Sequence, residues 1–461
     1  MKKALTLAFV IAVGAAGAYL INREAEALNS PAPLPFWLEN DSVRAIQTRI
    51  KHDFCLNREQ LLKALNEKYP NISDNDIDRY LALHYLESVN IDGEQKFFRK
   101  SARNFGILNP IYGEPFTHRG ASASDARISY VDSVLAFYAN KNNSGLSHKV
   151  LYRFSIDVPG DTALLGDTLR VWMPLPLEGE PCPRQNDVKI LNTEPAYYIL
   201  SDGRSVHNTI YFEAPAPAPE DTAHFEYIGS FVTSGQYRSE SEILASIRPY
   251  NTQSDIYLKN TVFDNRHIVR LDSLAKTIVE SETNPFRQSE LVYDYIVNNY
   301  PWAGAREYST LECIPEYVIK EKHGDCGQVA LLYISLMRTL GIPARWESGW
   351  MLHPGEVNLH DWAEVYFEGV GWLPVDVSFG RYSRSDNDAI KNFYSHGIDS
   401  HRFASNKGIG GELFPAKKYL RSETVDFQLG EVECSRGNLY YPAWDSNLEI
   451  ISYEPIVSES R

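Results

Sequence analysis

The sequence predicts an α+β protein in which a helical region, an antiparallel β-sandwich domain and a mixed α+β unit follow one another. Three observations predict this. Apolar residues recur at helical spacing from about Trp37 to Lys141. The period changes to two at Lys149, and strand-like runs separated by Pro-, Gly- and Asp-rich turns follow. Finally, Cys326 opens an apolar, helix-patterned run to Leu340, and two further strand patterns come after it. A chain of 461 residues is too long for one ordinary core. The expected units are 28–145 (helical), 146–245 (sandwich-like), 250–385 (the α+β unit) and 386–461 (an extension packed on that unit).

The N-terminus precedes these units. Met1-Lys2-Lys3 is a short positive start, Ala4 to Ile21 is uncharged and mostly apolar, and Ala25-Glu26-Ala27 has a small-x-small cleavage pattern. Residues 1–27 therefore read as a secretory signal, giving a periplasmic or secreted protein. An uncleaved anchor is the alternative, because the run from 4 to 21 is just long enough to span a bilayer. Ser30 to Pro35 reads as an extended linker.

In the helical region, Ser73 caps an amphipathic helix carrying Ile77, Tyr80, Leu81 and Tyr85, and His84 reads as a packed histidine on its apolar face. Arg58–Tyr69, Gln95–Phe105 and Arg127–Asn140 have similar spacing. Val150, Tyr152, Phe154, Ile156 and Val158 then alternate with polar residues until Pro159-Gly160 stops the run. Leu169–Met173, Ile210–Phe212 and Phe225–Phe231 repeat that alternation, as a sandwich requires.

Helix spacing returns at Asn284–Asn299, and Ile314–Lys322 is a short helix leading into His323-Gly324-Asp325-Cys326-Gly327. Ala344–Met351 reads as a strand, and Asp361–Phe367 with Trp372–Val377 as a hairpin around Glu368-Gly369-Val370-Gly371. Strand-like alternation recurs near 425–432, 439–441 and 448–453.

A thiol at a helix N-terminus faces unpaired N–H groups and the positive end of the macrodipole, so Cys326 is expected to ionise readily. A nucleophilic thiol also needs a base, and the base needs an orienting acceptor. His360 starts a strand, and Asp376, 16 residues on, lies on the next one. The even separation keeps both on one face of an unbulged antiparallel pair. Cross-strand diagonal neighbours are about 7–8 Å apart, within side-chain reach. Pro374 is the residue that would shift this register.

Composition excludes other classes. A formal net charge of −15 without a basic stripe argues against nucleic-acid binding. The five cysteines are an odd set without zinc-site spacing, and no Asp-x-Asp-x-Asp-Gly loop marks a calcium site, so no cofactor or metal is expected. His323 and His353 read as loop histidines, and Asp399 with Arg402 as a structural ion pair pinning the C-terminal extension.

Gly324-Asp325-Cys326-Gly327, Arg338 to Arg345, His360-Asp361-Trp362-Ala363-Glu364-Val365-Tyr366 and Gly371 to Asp376 together resemble the transglutaminase-like superfamily, bacterial exported type. The resemblance covers about 285–380 and departs at Asp361, where an alanine is frequent. It implies a papain-like core with Cys326 as nucleophile, His360 as proton carrier and Asp376 as its orienting acid. The backbone N–H of Cys326 is the natural oxyanion donor, with Trp302 and Gln328 as candidates for the second. The expected activity is thiol-dependent acyl transfer on peptide, protein or cell-wall amides, with hydrolysis preferred. Cross-linking to an amine, and a non-catalytic scaffold that keeps the fold, are the alternatives.

Overall fold

The computed structural model describes residues 35–111, 125–139, 146–180, 182–250, 265–381 and 386–456. The expected signal or anchor at 1–27 lies outside these residues. No helix among the described residues is long and apolar enough to cross a membrane.

Strand Ser147–Pro159 shows what alternation produces. Val150, Tyr152, Phe154, Ile156 and Val158 are fully buried, and each large apolar side chain so placed contributes about 1.5–3 kcal/mol. This strand lies in a four-stranded sheet ordered Asp445–Pro455, Ser147–Pro159, Thr222–Ser234, Gln185–Glu194. Its inner face packs on Val171, Met173, Ile210 and Phe212 of a six-stranded sheet. That second sheet runs Leu38–Glu39, Gly437–Leu439, Glu431–Cys434, Thr168–Pro174, Thr209–Pro215, Ile199–Leu200.

The sandwich is therefore not assembled from 146–245 alone. Residues beyond 386 were expected as an extension packed on the α+β unit, yet three of their strands complete the two sheets. Asp445–Pro455 pairs along nearly the whole of Ser147–Pro159 and covers an edge that would otherwise be exposed. Alternation marks a strand but not the sheet it joins, so the sequence pattern could not place these pieces.

The α+β unit is built on helix Cys326–Thr339. It is apolar on every side, and residues 327–337 are all buried, as expected of a helix enclosed by its neighbours. Helices Asn265–Val279, Pro285–Asn299 and Ile314–Glu321 surround it. A four-stranded antiparallel sheet ordered Gly371–Val375, Glu356–Phe367, Ala344–His353, Arg402–Asn406 closes the other side. The hairpin register is regular, with Ala363 opposite Val375 and Glu364 opposite Pro374, so Pro374 shifts nothing.

The N-terminal region is mostly helical but contains a hairpin. Gln95–Phe105 was expected as a helix; instead Ser88–Ile91 pairs with Glu94–Phe97, and the helix begins at Ser101. Asp92 and Gly93 both have positive φ (52° and 85°), the conformation an Asp-Gly hairpin turn requires. His84 is likewise not on an apolar face: it ends its helix at φ 59° and lies 3.5 Å from Glu321. This region is tied to the rest by Arg49, which is fully buried, pairs with Glu39 at 2.6 Å and donates to the carbonyl of Arg421. Asp53 accepts from the Glu307 N–H at 2.6 Å, bringing His52, Arg99 and Lys100 to the wall of the cavity described next.

Candidate active site

The helix carrying Cys326 starts at a reciprocal cap. Asp325 accepts from the Gln328 N–H at 3.0 Å, and Gln328 Oε1 accepts from the Asp325 N–H at 3.2 Å. The Tyr308 hydroxyl donates to the same Asp325 carboxylate. Gly327 is required next to the thiol, since a Cβ there would collide with the Tyr308 hydroxyl and the Asp361 carboxylate. Cys326 is half-buried and opens on a cavity of about 490 Å³.

The thiol's hydrogen bond goes to Asp361 Oδ2, at 3.4 Å, and not to His360. Asp361 Oδ1 accepts from Gln428 Nε2 at 2.7 Å, and the same amide reaches the carbonyls of Gly349 and His360. Asp325, Asp361, Glu423 and Asp426 line one cavity with the thiol. Burial, then the charges of Asp361 and Asp325, push the Cys326 thiol well above its usual range. A helix N-terminus offers only about half a charge, which two adjacent carboxyl groups outweigh. The expectation of a readily ionised thiol is thus reversed by its surroundings. Burial also raises the carboxyl groups themselves: Asp361 and Glu423 well above the usual range, and Asp426 to about 7.

The other two predicted residues are brought together, but on the strand face opposite Asp361, and neither lines the cavity at Cys326. His360 Nε2 lies 2.7 Å from Asp376 Oδ2, both nearly or wholly buried. The last pair of the hairpin is Ala363 opposite Val375, and Asp376 follows it on the His360 face, consistent with the diagonal arrangement anticipated from the even spacing. The main chain of Asp376 is held by its N–H to the Tyr394 carbonyl and by the Tyr293 hydroxyl on its own carbonyl. The imidazole stacks on Phe379, ring centres 4.6 Å apart.

Arg402 lies against the same acid. Its Nη1 is 3.1 Å from Asp376 Oδ2 and its Nη2 is 3.0 Å from Asp399 Oδ2, with the side chain fully buried. Asp399 and Arg402 thus pair as the sequence suggested, and Arg402 extends that pair to Asp376. Burial alone would raise the Asp376 carboxyl, but His360, Arg402 and the Ser378 hydroxyl outweigh it and hold it below its usual range.

Neither second oxyanion candidate lines the cavity at Cys326. Gln328 is buried and its Oε1 is committed to the helix cap, while Trp302 bridges to Gly324 beneath the Arg103 guanidinium. Residues that sequence reasoning passed over are Asp361, Glu423, Asp426 and Gln428. The unusual residue after His360 was the one signal for them. Glu423 lies in an aperiodic stretch, and Asp426 and Gln428 lie in the run 425–432 read as strand-like, of which only the part from Glu431 forms a strand.

Comparison with known proteins now bears on the arrangement. A family model described as the transglutaminase-like superfamily matches residues 272–377. These residues form a transglutaminase-like core. An uncharacterized protein of Haemophilus influenzae is 26% identical over 251 residues, 45% of this chain. The uncharacterized protein YebA of Bacillus subtilis is 23% identical over 196 residues, 36% of this chain. The aligned parts span 62% and 26% of the lengths of those two relatives. Among solved structures, a proposed cysteine protease from Cytophaga hutchinsonii covers 69% of this chain and 93% of its own at 16% identity, TM-score 0.44. The periplasmic domain of TgpA from Pseudomonas aeruginosa covers 55% and 91% at 15% identity, TM-score 0.27. In the transglutaminase-like core of this protein, Cys326 begins the central helix, His360 lies on strand Glu356–Phe367 and Asp376 directly follows the neighbouring strand Gly371–Val375. All five cysteines are unpaired.

Proposed function

We propose that the protein is an exported, thiol-dependent acyl transferase acting on peptide, protein or cell-wall amides, with water as the usual acceptor. The observation that carries this reading is a half-buried cysteine opening a capped helix onto a cavity, with a buried His–Asp pair beginning one residue from its hydrogen-bond partner. Cys326 is the nucleophile. His360 is the proton carrier and Asp376, placed by Arg402, steadies its imidazolium; since neither His360 nor Asp376 lines the cavity that holds the thiol, the strand must turn His360 Nδ1 toward Cys326 before the proton passes. The thiolate adds to the amide carbonyl, and the oxyanion takes the Cys326 N–H in the first turn of the helix. The imidazolium returns its proton to the leaving amine, and water then releases the acid from the thioester.

In the resting arrangement Asp361 holds the thiol proton back, so substrate entry must loosen that hydrogen bond before His360 accepts the proton. The export reading rests on residues 1–27, which act as a cleaved signal or, if uncleaved, as a membrane tether. Cross-linking to an amine is the second reading, since the thioester could be released to an amine in place of water.

The test incubates the chain with peptides and cell-wall fragments, with and without a labelled primary amine, and reads products by mass spectrometry against Cys326→Ala. Free acid lost in the variant supports hydrolysis, and amine conjugate supports cross-linking. Binding that survives Cys326→Ala, with no turnover by wild type, returns the chain to a non-catalytic scaffold.

A further inference from the structure

A second cluster of chemically active side chains lies on the far side of Arg402. We propose that His353, Asp399 and His401 bind a divalent transition-metal ion, zinc by the nature of the donors. His353 ends strand Ala344–His353, and Asp399 and His401 immediately precede strand Arg402–Asn406, which pairs with it. One ligand atom from each residue lies within 4.8 Å of the other two, and all three residues are buried. His353 Nε2 is 3.3 Å from Asp399 Oδ1, and His401 Nδ1 is 3.9 Å from the same oxygen. Two ligands about 2.0–2.2 Å from a tetrahedral zinc stand a little over 3 Å apart, so small adjustments would close the set.

An ordinary hydrogen-bonded cluster accounts for these contacts less well. His401 is only 1% exposed, yet its Nδ1 has no hydrogen-bond partner, and 3.9 Å is too long to be one. A ring nitrogen removed from water and aimed at a carboxylate oxygen is an unmet ligand.

The surroundings also have the form of an outer shell. Asp399 Oδ2 is taken by the Tyr394 hydroxyl at 2.6 Å and by Arg402, which leaves Oδ1 toward the imidazoles. The His401 N–H reaches that oxygen at 2.8 Å, and the His401 ring is flanked by Tyr130 and Tyr453. Two imidazoles and one carboxylate suit zinc, whereas calcium and magnesium take oxygen sets. Bound there, the ion would clamp the segment carrying Arg402 to the end of the neighbouring strand. It would thereby steady the cation on Asp376. The clamp is structural, and it stands whether or not the chain transfers acyl groups.

The experiment uses the full chain without an affinity tag, dialysed against zinc chloride buffered near micromolar free ion. Metal is counted by inductively coupled plasma mass spectrometry. About one zinc per chain is expected in wild type and in Cys326→Ser, falling to less than about a tenth in His353→Ala and His401→Ala. Zinc should raise the wild-type melting temperature by at least ~3 °C, reversibly with chelator. Cobalt(II) in its place should show visible ligand-field bands without a thiolate charge-transfer band. Wild type holding less than about a tenth of an equivalent, variants holding as much as wild type, or a thiolate band would each overturn the proposal. The wild-type melting and cobalt spectra decide the matter even where a variant fails to fold.

Discussion

His360 and Asp361 are neighbours on one strand, yet their surroundings treat acids in opposite ways. On the His360 side, Asp376 and Asp399 share Arg402, and both carboxyl groups are held below their usual range. On the Asp361 side, Asp325, Asp361, Glu423 and Asp426 face the thiol, and all four are held above it. Burial penalises the charged form on both sides, so the difference is the cation. A buried acid with a guanidinium in contact stays ionised, whereas acids crowded on one another hold their protons to higher pH. One side therefore keeps a fixed charge ready to support an imidazolium. The other keeps the nucleophile protonated until something enters the cavity.

The largest break expected in this comparison is in activity. If the ionised side serves the protonated one, His360→Ala should lower turnover by roughly 10⁴-fold and Cys326→Ala at least as far. Turnover in His360→Ala within tenfold of wild type would move the base elsewhere, with Asp361 as the first candidate. Arg402→Ala comes next, since it leaves two buried carboxylates without their shared cation. A loss of about 3–5 kcal/mol in urea unfolding is expected. A loss below 1 kcal/mol would mean that the ionised side is not organised by Arg402.

Stability against pH should separate the two sides with opposite signs. Asp376 and Asp399 are depressed in the folded chain, so their stabilisation is present above the unfolded carboxylate pKa and lost as pH falls through the folded values. Asp426 is raised to about 7, so the folded chain binds the extra proton between about 4 and 7 and loses stability as pH rises through that window. Asp426→Asn should therefore stabilise the protein at pH 8, by on the order of 1–3 kcal/mol, and change little at pH 4. Equal effects at both pH values would show that Asp426 does not titrate as its burial requires.

The two sides were not equally legible in the sequence. His360 and Asp376 could be paired in advance because strand alternation converts an even spacing into a shared face, and Pro374 left the register intact. The helix start at Cys326 was legible for a similar reason, since Asp325 and Gln328 form a local cap. Arg402 was paired with Asp399 at three residues' separation, but its reach to Asp376 is a tertiary contact that no local pattern encodes. The acid side comes from residues 325, 361, 423 and 426, joined only by folding, so a thiol that looked activated by its helix proved suppressed by its neighbours. The interleaved sandwich was illegible for the same reason: alternation specifies a face, not a partner strand.

The smallest effect is the most direct probe of that suppression. Asp361→Ala removes the thiol's hydrogen-bond acceptor and the nearest carboxyl charge, while leaving the His360–Asp376 pair in place. Repulsion by that carboxylate disfavours thiolate, so its loss should lower the Cys326 pKa. Below the thiol pKa the alkylation rate follows the thiolate fraction, partly offset by weaker intrinsic nucleophilicity. Iodoacetamide should therefore label Cys326 roughly three- to tenfold faster at pH 7 in the variant. Asp361→Asn, which retains a polar group of similar shape, should recover most of that gain because it too lacks the charge. An unchanged rate in both variants would assign the suppression to burial alone and reduce the contrast between the two sides to solvent access. A slower rate would mean that Asp361 takes the proton from the thiol, and that the departure from alanine at this position supplies the base itself.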